Sequence, residues 1–253
     1  MDFVHIPAGE LLMGSDKKQD PQAYDNELPQ HKVYLDEYWI GVTPVSVAQF
    51  TAFVQSSGYV TTAEKEKRSY TWRTPHDKGS DVKAKASHPV TCVDWQDAAA
   101  FCEWLTSQAQ PAAKWVVRLP SEAEWEKAAR GADGRLYPWG RRTPDAKRCN
   151  FKYNVCDTTP VGKYSPGGDS PYGCADMAGN VWQWLADWYS ETYYQQSPTS
   201  NPAGPSSGEF RVQRGGAWIN DGRNVRSAHR CWSPPRSWSY VGGFRCAASP
   251  QRL

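Results

Sequence analysis

Apolar positions early in the chain repeat with the spacing of an α-helix. Val47, Phe50 and Val54 fall on one helical face. Thr43 and the proline that follows it are typical of an N-cap and a first helical turn, and Gly58 is typical of a helix end. The pattern therefore predicts a helix that begins near Thr43 and ends at Gly58.

Two further segments show the same periodicity. A second helix is predicted from Asp94, and its apolar face comprises Ala98, Phe101, Cys102 and Leu105. A third is predicted where Ser121 and Glu124 have the spacing of a capping box and Gly131 supplies the stop. After Gly131 the sequence shows no helical pattern.

Short runs of β-branched and aromatic residues predict strands. They lie at residues 31–40, 115–119, 180–189, 209–218 and 243–247. Residues 60–90 carry many charges and little periodicity, which predicts a long surface excursion. Helices in the first half, followed by short strands and long loops, indicate an α+β fold. Since neither an internal repeat nor a linker occurs, we expect a single domain over residues 1–253.

The composition indicates a core rich in aromatic residues and argues against nucleic acid as a partner. The 13 tryptophans and 13 tyrosines supply large apolar surfaces despite a mean hydropathy of −0.72. The 29 Lys and Arg residues nearly balance the 27 Asp and Glu residues, and no basic block occurs. We therefore expect no nucleic-acid partner.

Targeting signals and cysteine usage point to one compartment. The chain has no apolar run of membrane-spanning length, and its N-terminus lacks the basic start and apolar run of a signal peptide. Its 7 cysteines lack zinc-site spacing, which favours reduced, mostly buried thiols, although a Cys149–Cys156 disulfide stays open. We expect no membrane span and a cytoplasmic location, with surface display through a partner as the open alternative.

Catalytic motifs are missing from the sequence. It contains no phosphate-binding loop, dinucleotide fingerprint, HExxH motif or GxSxG nucleophile elbow. The 5 histidines are scattered, and none forms an i, i+4 pair. Glu122 and Glu124 suit the charge preference of a helix N-terminus better than a catalytic pair. Motifs alone give an enzyme little support.

Seven segments in a fixed order resemble the formylglycine-generating enzyme, or sulfatase-modifying factor, family along nearly the whole chain. They lie at residues 6–15, 88–105, 118–131, 136–140, 176–184, 214–218 and 243–247. The resemblance implies a C-type-lectin-like fold with two main helices, short twisted antiparallel strands and many loops. That expectation agrees with the order of helices and strands predicted from periodicity.

The same resemblance shows where the catalytic cysteines of the family would lie in this chain. Enzymes of this family oxidise a sulfatase cysteine to formylglycine with two active-site cysteines that bind copper(I). Counting back from the matching segment that ends at Cys246, these cysteines fall on Gly222 and Ser227. Glycine offers no ligand, and a serine hydroxyl is a poor ligand for soft copper(I). We therefore expect no copper and no formylglycine-generating activity.

The family also carries calcium on loops, and the resemblance places one such site in this chain. Its positions are Asp176, Gly179, Val181 and Gln183. The last is a neutral amide where the enzymes carry glutamate, which weakens the attraction for a hard cation. The alternative interpretation is a turn that leads into a core strand. No cofactor is required, and calcium is allowed.

The C-terminal segment, residues 214–247, is more similar to the variable proteins of diversity-generating retroelements. In these proteins, fixed pieces similar to RGGAW, RNVRSA and GFR alternate with codons rewritten at adenines. The positions compatible with such rewriting are Ala217, Ile219, Asn220, Asp221, His229, Cys231, Ser233, Ser237, Ser239, Tyr240 and Gly242. Trp232 and Trp238 are not encodable in this way, so they are expected to be fixed aromatic contacts or to come from another codon type.

Together these features predict a binding protein. Fixed Arg226, Trp218 and Phe244 would hold the backbone, while solvent-facing side chains between the fixed pieces change at little cost. Aromatic residues among small polar ones are typical of antibody paratopes. The hypothesis is a non-catalytic variable protein that binds a protein or other macromolecule. The alternative is a family member with lost or different catalytic activity.

Overall fold

The computed structural model describes residues 1–76, 82–108 and 115–250. Its α-helices are α1 Val47–Ser57, α2 Thr62–Lys65, α3 Trp95–Gln108 and α4 Glu122–Arg130. Its strands are β1 Phe3–Ile6, β2 Gly9–Met13, β3 His31–Leu35, β4 Tyr38–Gly41, β5 Trp115–Arg118, β6 Trp182–Trp188, β7 Arg211–Arg214, β8 Cys231–Ser233, β9 Gly242–Phe244 and β10 Ala247–Pro250. The predicted α+β class is confirmed. Beyond α4, the described part of the chain forms no further α-helix.

Local capping determines where the helices begin and end. The predicted start of α1 near Thr43 is wrong, because Ser46 accepts a hydrogen bond from the backbone of Gln49 and forms the N-cap. Gly58 closes α1 with φ of 69°, as predicted. The Ser121 capping box at the start of α4 is also confirmed.

The strands form three sheets. Their orders are β1-β4-β10-β5, the β2-β3 hairpin, and β8-β7-β6-β9. The pairs are antiparallel except for β6 with β9, which is parallel and refines the antiparallel expectation. Two predicted strands are each divided between two sheets: residues 31–40 form β3 and β4, and residues 243–247 span β9 and the start of β10.

Two apolar clusters hold the helices against the sheets. In one, α4 packs against the β2-β3 hairpin, with the side chain of Trp125 fully buried. In the other, Phe50 of α1 and Phe101 of α3 pack on Phe244 of β9, and the Phe101 and Phe244 ring centroids lie 5.4 Å apart. This contact fixes the C-terminal segment to the helical side of the fold.

The predicted surface excursion over residues 60–90 is only partly right. Thr61, Ala63 and Trp72 are buried. The ring centroids of Trp72 and Phe50 lie 5.2 Å apart, and the Trp72 indole N–H donates a hydrogen bond to Glu64 at 3.3 Å. Long-range packing therefore overrides a locally polar pattern here, while positions 77–81 lie outside the described residues.

The structure bears on two expectations from the sequence: the state of the cysteines and the absence of a membrane span. All seven cysteines are free, and only Cys156 and Cys231 are not buried, so a Cys149–Cys156 disulfide is not formed. In the part of the chain that the structure describes, no helix combines the length and apolarity needed to cross a bilayer.

Candidate functional site

The C-terminal segment crosses the third sheet and supplies β8 and β9. Between these strands and β7 it forms turns rather than regular structure. Gly216 has φ of +72°, and a Cβ atom there would lie 2.7 Å from a methyl group of Val225. The turn therefore requires glycine, both for its conformation and for the close approach of the chain.

Buried arginines fix this segment to the rest of the molecule. Four arginines of the segment are at most 1% exposed: Arg214, Arg226, Arg230 and Arg245. Arg226 contacts both carboxylate oxygens of Glu27, at 2.6 and 2.8 Å. Arg230 contacts both oxygens of Glu122, at 2.8 and 2.9 Å. Because removing one partner would leave a buried charge, these pairs hold the backbone in place while neighbouring side chains can differ.

One groove collects many of the side chains predicted to vary. Five of these positions and one of the predicted fixed aromatics line it: Cys231, Ser233, Ser237, Trp238, Ser239 and Gly242. Its volume is about 190 Å³. Trp182, Trp184 and Gln213 form the floor, together with Val241. We call this concavity the tail groove.

The groove floor was missed by the sequence interpretation. Trp182 and Trp184 of β6 and Gln213 of β7 lie in predicted strands but gave no signal of a site, because only the pairing of β6 with β7 brings them together. Trp184 is held by its indole N–H, which donates to the Val93 carbonyl at 3.1 Å. Gln213 accepts a hydrogen bond from the Ser233 hydroxyl at 3.2 Å.

The lining of the tail groove is neutral. It contains hydroxyl, amide, thiol and aromatic groups and no charged side chain. Burial raises the pKa of the Cys231 thiol, so this group is protonated and a poor nucleophile at neutral pH. The volume is below that of pockets for drug-sized ligands, which is roughly 300–1,000 Å³. The groove can therefore take a single uncharged side chain of a partner.

Two aromatic side chains are exposed near the groove. Trp232 is 42% exposed and stacks on Tyr189, with ring centroids 4.3 Å apart. Tyr240 is 41% exposed and lies 5.0 Å from the His76 ring. Trp238 is partly buried beneath the Arg68 guanidinium, 4.7 Å from its ring centroid. These contacts pre-order large side chains that remain accessible.

A separate turn carries three further positions predicted to vary, of which Ile219 and Asn220 are half-buried and Asp221 is exposed. Ile219, Asn220 and Asp221 do not line the tail groove. They lie beside another loop, where Lys152 donates its backbone N–H to the Asn220 carbonyl at 2.7 Å and Tyr153 donates to the Trp218 carbonyl at 2.8 Å. The turn at residues 219–221 therefore lies outside the tail groove, although the neighbouring Trp218 lies close to Tyr240, with ring centroids 6.0 Å apart.

Three predicted variable positions are buried, so the expectation that their side chains face solvent is wrong. Ala217 is fully buried in a tight turn. His229 packs against Trp182, with ring centroids 5.7 Å apart, and its Nδ1 lies 3.5 Å from Glu27. Gly242 is buried in β9 and faces the groove. Packing in the interior therefore restricts which residues can occupy these positions, although their residue types alone are compatible with variation.

The two positions that correspond to catalytic cysteines offer no thiolate. A Cβ atom on Gly222 would lie 3.1 Å from the Pro144 ring. Ser227 is fully buried, and its hydroxyl has no hydrogen-bond partner among the described residues. The residues present at these positions therefore do not fit copper(I), which prefers soft thiolate ligands.

Two of the four positions implied for calcium, Asp176 and Gln183, already have other partners. The four positions are Asp176, Gly179, Val181 and Gln183. The Asp176 carbonyl accepts from the Gln183 amide at 2.8 Å and from Arg245 at 3.2 Å. The Gln183 amide oxygen accepts from Arg245 at 2.6 Å and from Trp125 at 2.8 Å. A guanidinium beside oxygens that are already paired does not fit a calcium ion here, and the alternative of a turn and core strand describes these residues better.

Sequence comparisons relate the chain to known proteins. A model of the sulfatase-modifying factor enzyme 1-like domain matches residues 1–250. The chain is 38% identical to the formylglycine-generating enzyme of Streptomyces coelicolor, over 96% of this chain and 88% of that protein. It is 32% identical to the inactive C-alpha-formylglycine-generating enzyme 2 of Mus musculus, over 99% and 86% of the two chains.

Solved structures show the same architecture. PvdO from Pseudomonas aeruginosa superposes with a TM-score of 0.82 and 24% identity, over 98% of this chain and 94% of that chain. Treponema denticola variable protein 1 gives a TM-score of 0.74 and 24% identity, over 98% and 95%. The fold is therefore the C-type-lectin-like fold of the formylglycine-generating enzyme type. At this identity the likeness concerns the fold alone.

Proposed function

The chain belongs to the sulfatase-modifying factor, or formylglycine-generating enzyme, family, and from this premise we propose that it is a non-catalytic member that binds a protein or another macromolecule. One observation carries the proposal. Positions interleaved between the fixed pieces of the C-terminal segment converge on the tail groove, whose floor comes mainly from Trp182, Trp184 and Gln213, outside the segment. Function in such folds resides in the grafted site rather than in the scaffold.

The energetics of the segment support a surface that can vary. The buried ion pairs of Arg226 and Arg230 fix the backbone independently of the groove side chains. Ser237 is a partly exposed, small side chain, so its replacement costs little stability. Exposed Trp232 and Tyr240 supply contact area with few rotatable bonds.

The finer proposal is that the segment is the variable region of a diversity-generating retroelement protein. It is supported by the alternation of changeable positions with buried anchors such as Arg226. Because Ala217 and His229 are buried, we leave them out of the proposed contact surface. That surface then consists of the tail groove, the exposed Trp232 and Tyr240, and the turn at residues 219–221.

The competing function is the oxidation of a protein cysteine, as the name of the Streptomyces coelicolor relative implies. Family membership does not decide between the two functions, because the family includes a protein named as inactive. Gly222 and Ser227 argue against cysteine oxidation, since neither supplies a soft metal ligand.

A display experiment tests the proposed binding function. One library randomises groove and rim positions: Cys231, Ser233, Ser237, Ser239 and Tyr240. A matched library randomises exposed positions on other surfaces: Glu10, Lys17, Lys18, Lys32 and Tyr34. Both are selected for binding to hen lysozyme as a single probe protein. We expect specific, folded binders from the first library alone, and equal yields or none from the first would contradict the proposal.

A further inference from the structure

A second concavity lies away from the tail groove and shares no lining residue with it. We call it the Asp187 pocket, with a volume of about 600 Å³. It lies between the edge of the first sheet, the start of α4 and the end of β6. Its walls are largely apolar and include Leu35, Val116, Ala186 and Pro202. This size lies in the range typical of ligand pockets, roughly 300–1,000 Å³.

A buried carboxyl group lines this pocket. Asp187 is 3% exposed, and its Oδ2 accepts a hydrogen bond from the Glu122 backbone at 2.8 Å. No described residue donates a hydrogen bond to its Oδ1, and no described cationic group lies within ion-pair distance of it. Gly204 approaches closely, since a Cβ atom there would lie 3.0 Å from Oδ1. A buried carboxyl with one unpaired oxygen is costly unless a partner reaches it.

The other charges of the pocket are largely compensated within the protein. Arg118 forms two 2.6 Å hydrogen bonds with Glu124, so this guanidinium is already engaged. Glu37 lies 2.8 Å from His5. Asp36 accepts a hydrogen bond from Asn201 at 3.1 Å. Apart from Asp187, the lining carries three carboxylates and one guanidinium, so its field favours a cation even while Asp187 is protonated.

We infer that the Asp187 pocket binds an aliphatic amine, either free or as a lysine side chain. The ammonium group donates to the open oxygen of Asp187, and the hydrocarbon chain lies against the apolar walls. An alcohol of the same length lacks the charge, and a carboxylate is repelled. The inference is independent of the proposed function at the tail groove.

Binding of an ammonium group changes the ionisation of Asp187. Burial, with a contribution from nearby Glu122, raises the pKa of this carboxyl to about 8. The groups whose charges act on it or respond to it are Glu122, Glu124, Arg118, Arg211, Arg230 and Tyr193. The empty pocket therefore holds a protonated carboxyl at pH 7. A bound ammonium stabilises the carboxylate, so binding releases a proton to solvent.

The test is an NMR titration that follows the Glu122 amide, with proton release measured in weak buffer at pH 7. The probes are n-butylamine, N-acetyl-lysine amide, 1-butanol and butyrate. We expect binding of the amines with proton release, and at least tenfold weaker binding of the alcohol and acid, roughly the worth of a charged hydrogen bond. Tighter binding of the blocked lysine would identify a protein side chain as the ligand, and tighter binding of butylamine would identify a free amine.

Variants make the test specific to the proposed contact. Asp187→Asn keeps an oxygen for the Glu122 amide but loses the charge, so amine affinity should fall about tenfold and proton release should vanish. Ala203→Trp fills the exposed mouth of the pocket and should block amines without altering the core. Glu10→Gln, on a surface outside the pocket, should change nothing. Equal binding of 1-butanol, or unchanged amine binding in Asp187→Asn and Ala203→Trp, would overturn the inference.

Discussion

Arg226 and Glu27 form a bidentate ion pair beneath the C-terminal segment, with N–O distances of 2.6 and 2.8 Å. Both side chains are at most 1% exposed. The two residues are 199 positions apart in the sequence. Asp20 adds a second carboxylate, 2.5 Å from the same guanidinium. This contact ties the proposed binding segment to the N-terminal part of the fold.

Replacement of Arg226 should destabilise the protein strongly. Arg226→Ala leaves Glu27 buried without its cation, which typically costs about 3–5 kcal/mol. The free energy of unfolding in urea measures this loss. Ser237→Ala in the tail groove is the control, with an expected change within about 0.5 kcal/mol. Similar values for the two variants would mean that anchor and groove positions are not distinct.

The same pair predicts a pH dependence. Burial opposes ionisation of Glu27, but the His229 ring 3.5 Å away and the hydrogen bonds from Arg226 outweigh it and hold the pKa of this carboxyl well below its usual range. The folded state thus binds fewer protons than the unfolded state, so this stability is present above about pH 4 and is lost as the pH falls below it. Glu27→Gln should flatten the acid limb of a stability profile measured by chemical denaturation. An unchanged acid limb would refute this.

His229 should behave as a core residue rather than as a freely variable one. It is 7% exposed and contacts both Glu27 and Trp182. His229→Ser should lower stability by about 1–3 kcal/mol, the usual effect of disturbing a buried polar contact. Tyr240→Ser, at an exposed position, should leave the melting temperature unchanged. Equal tolerance at both positions would contradict the burial of His229.

Thiol reactivity should follow burial. Cys156 is exposed, while burial raises the pKa values of Cys92 and Cys149 to about 12. A shift of this size lowers the thiolate fraction roughly a thousandfold. Iodoacetamide labelling of the native protein, followed by peptide mass spectrometry, should mark Cys156 first. Rapid labelling of Cys149 in the folded protein would exclude the observed packing around it.

Asp187→Asn should change stability in the opposite pH direction from Glu27→Gln. With a folded-state pKa of about 8, Asp187 retains a proton that the unfolded chain has lost above about pH 4. The native protein should therefore lose stability relative to the variant as the pH rises from about 4 to about 8, at roughly 1.4 kcal/mol per pH unit. Denaturant titrations at pH 5 and pH 8 measure this. A constant difference would show that Asp187 is ionised throughout.

The enzymatic alternative can be tested directly. The purified chain, supplied with copper(I) and a cysteine-containing sulfatase peptide, should yield no formylglycine by mass spectrometry, because Gly222 and Ser227 supply no thiolate. The Streptomyces coelicolor relative, treated identically, is the control. Turnover by this chain would refute the non-catalytic proposal and would require a different set of ligands.

Local signals in the sequence were sufficient for much of the fold. Gly58, Ser121 and Gly131 mark helix ends through conformations that depend on a few neighbouring residues, and each was predicted correctly. Thr43 failed as a helix start because the capping box at Ser46 competes with it only three residues later. Trp72 was placed on a surface segment because its burial depends on the distant α1.

The candidate sites depended on contacts that no local pattern encodes. His229 and Ser239 are both small or polar residues in a mixed segment, yet one is buried against Glu27 and the other lines the tail groove. The buried pairing of Arg230 with Glu122 spans 108 positions in the sequence and gave no signal. Asp187 lies within a predicted strand and gave no signal of a site. Only the folded structure shows that no cationic side chain in the described part of the chain pairs with it.

Natural variation in the gene tests the central claim most directly. We would sequence the region that encodes residues 214–247 across a population of the source organism, together with any nearby template copy. The proposed function predicts substitutions concentrated at Ser233, Ser237, Ser239 and Tyr240, at sites that match template adenines, while Arg226 and other buried anchors stay fixed. A segment that is uniform across the population, or one that varies equally at anchors and groove positions, would contradict a diversified binding surface.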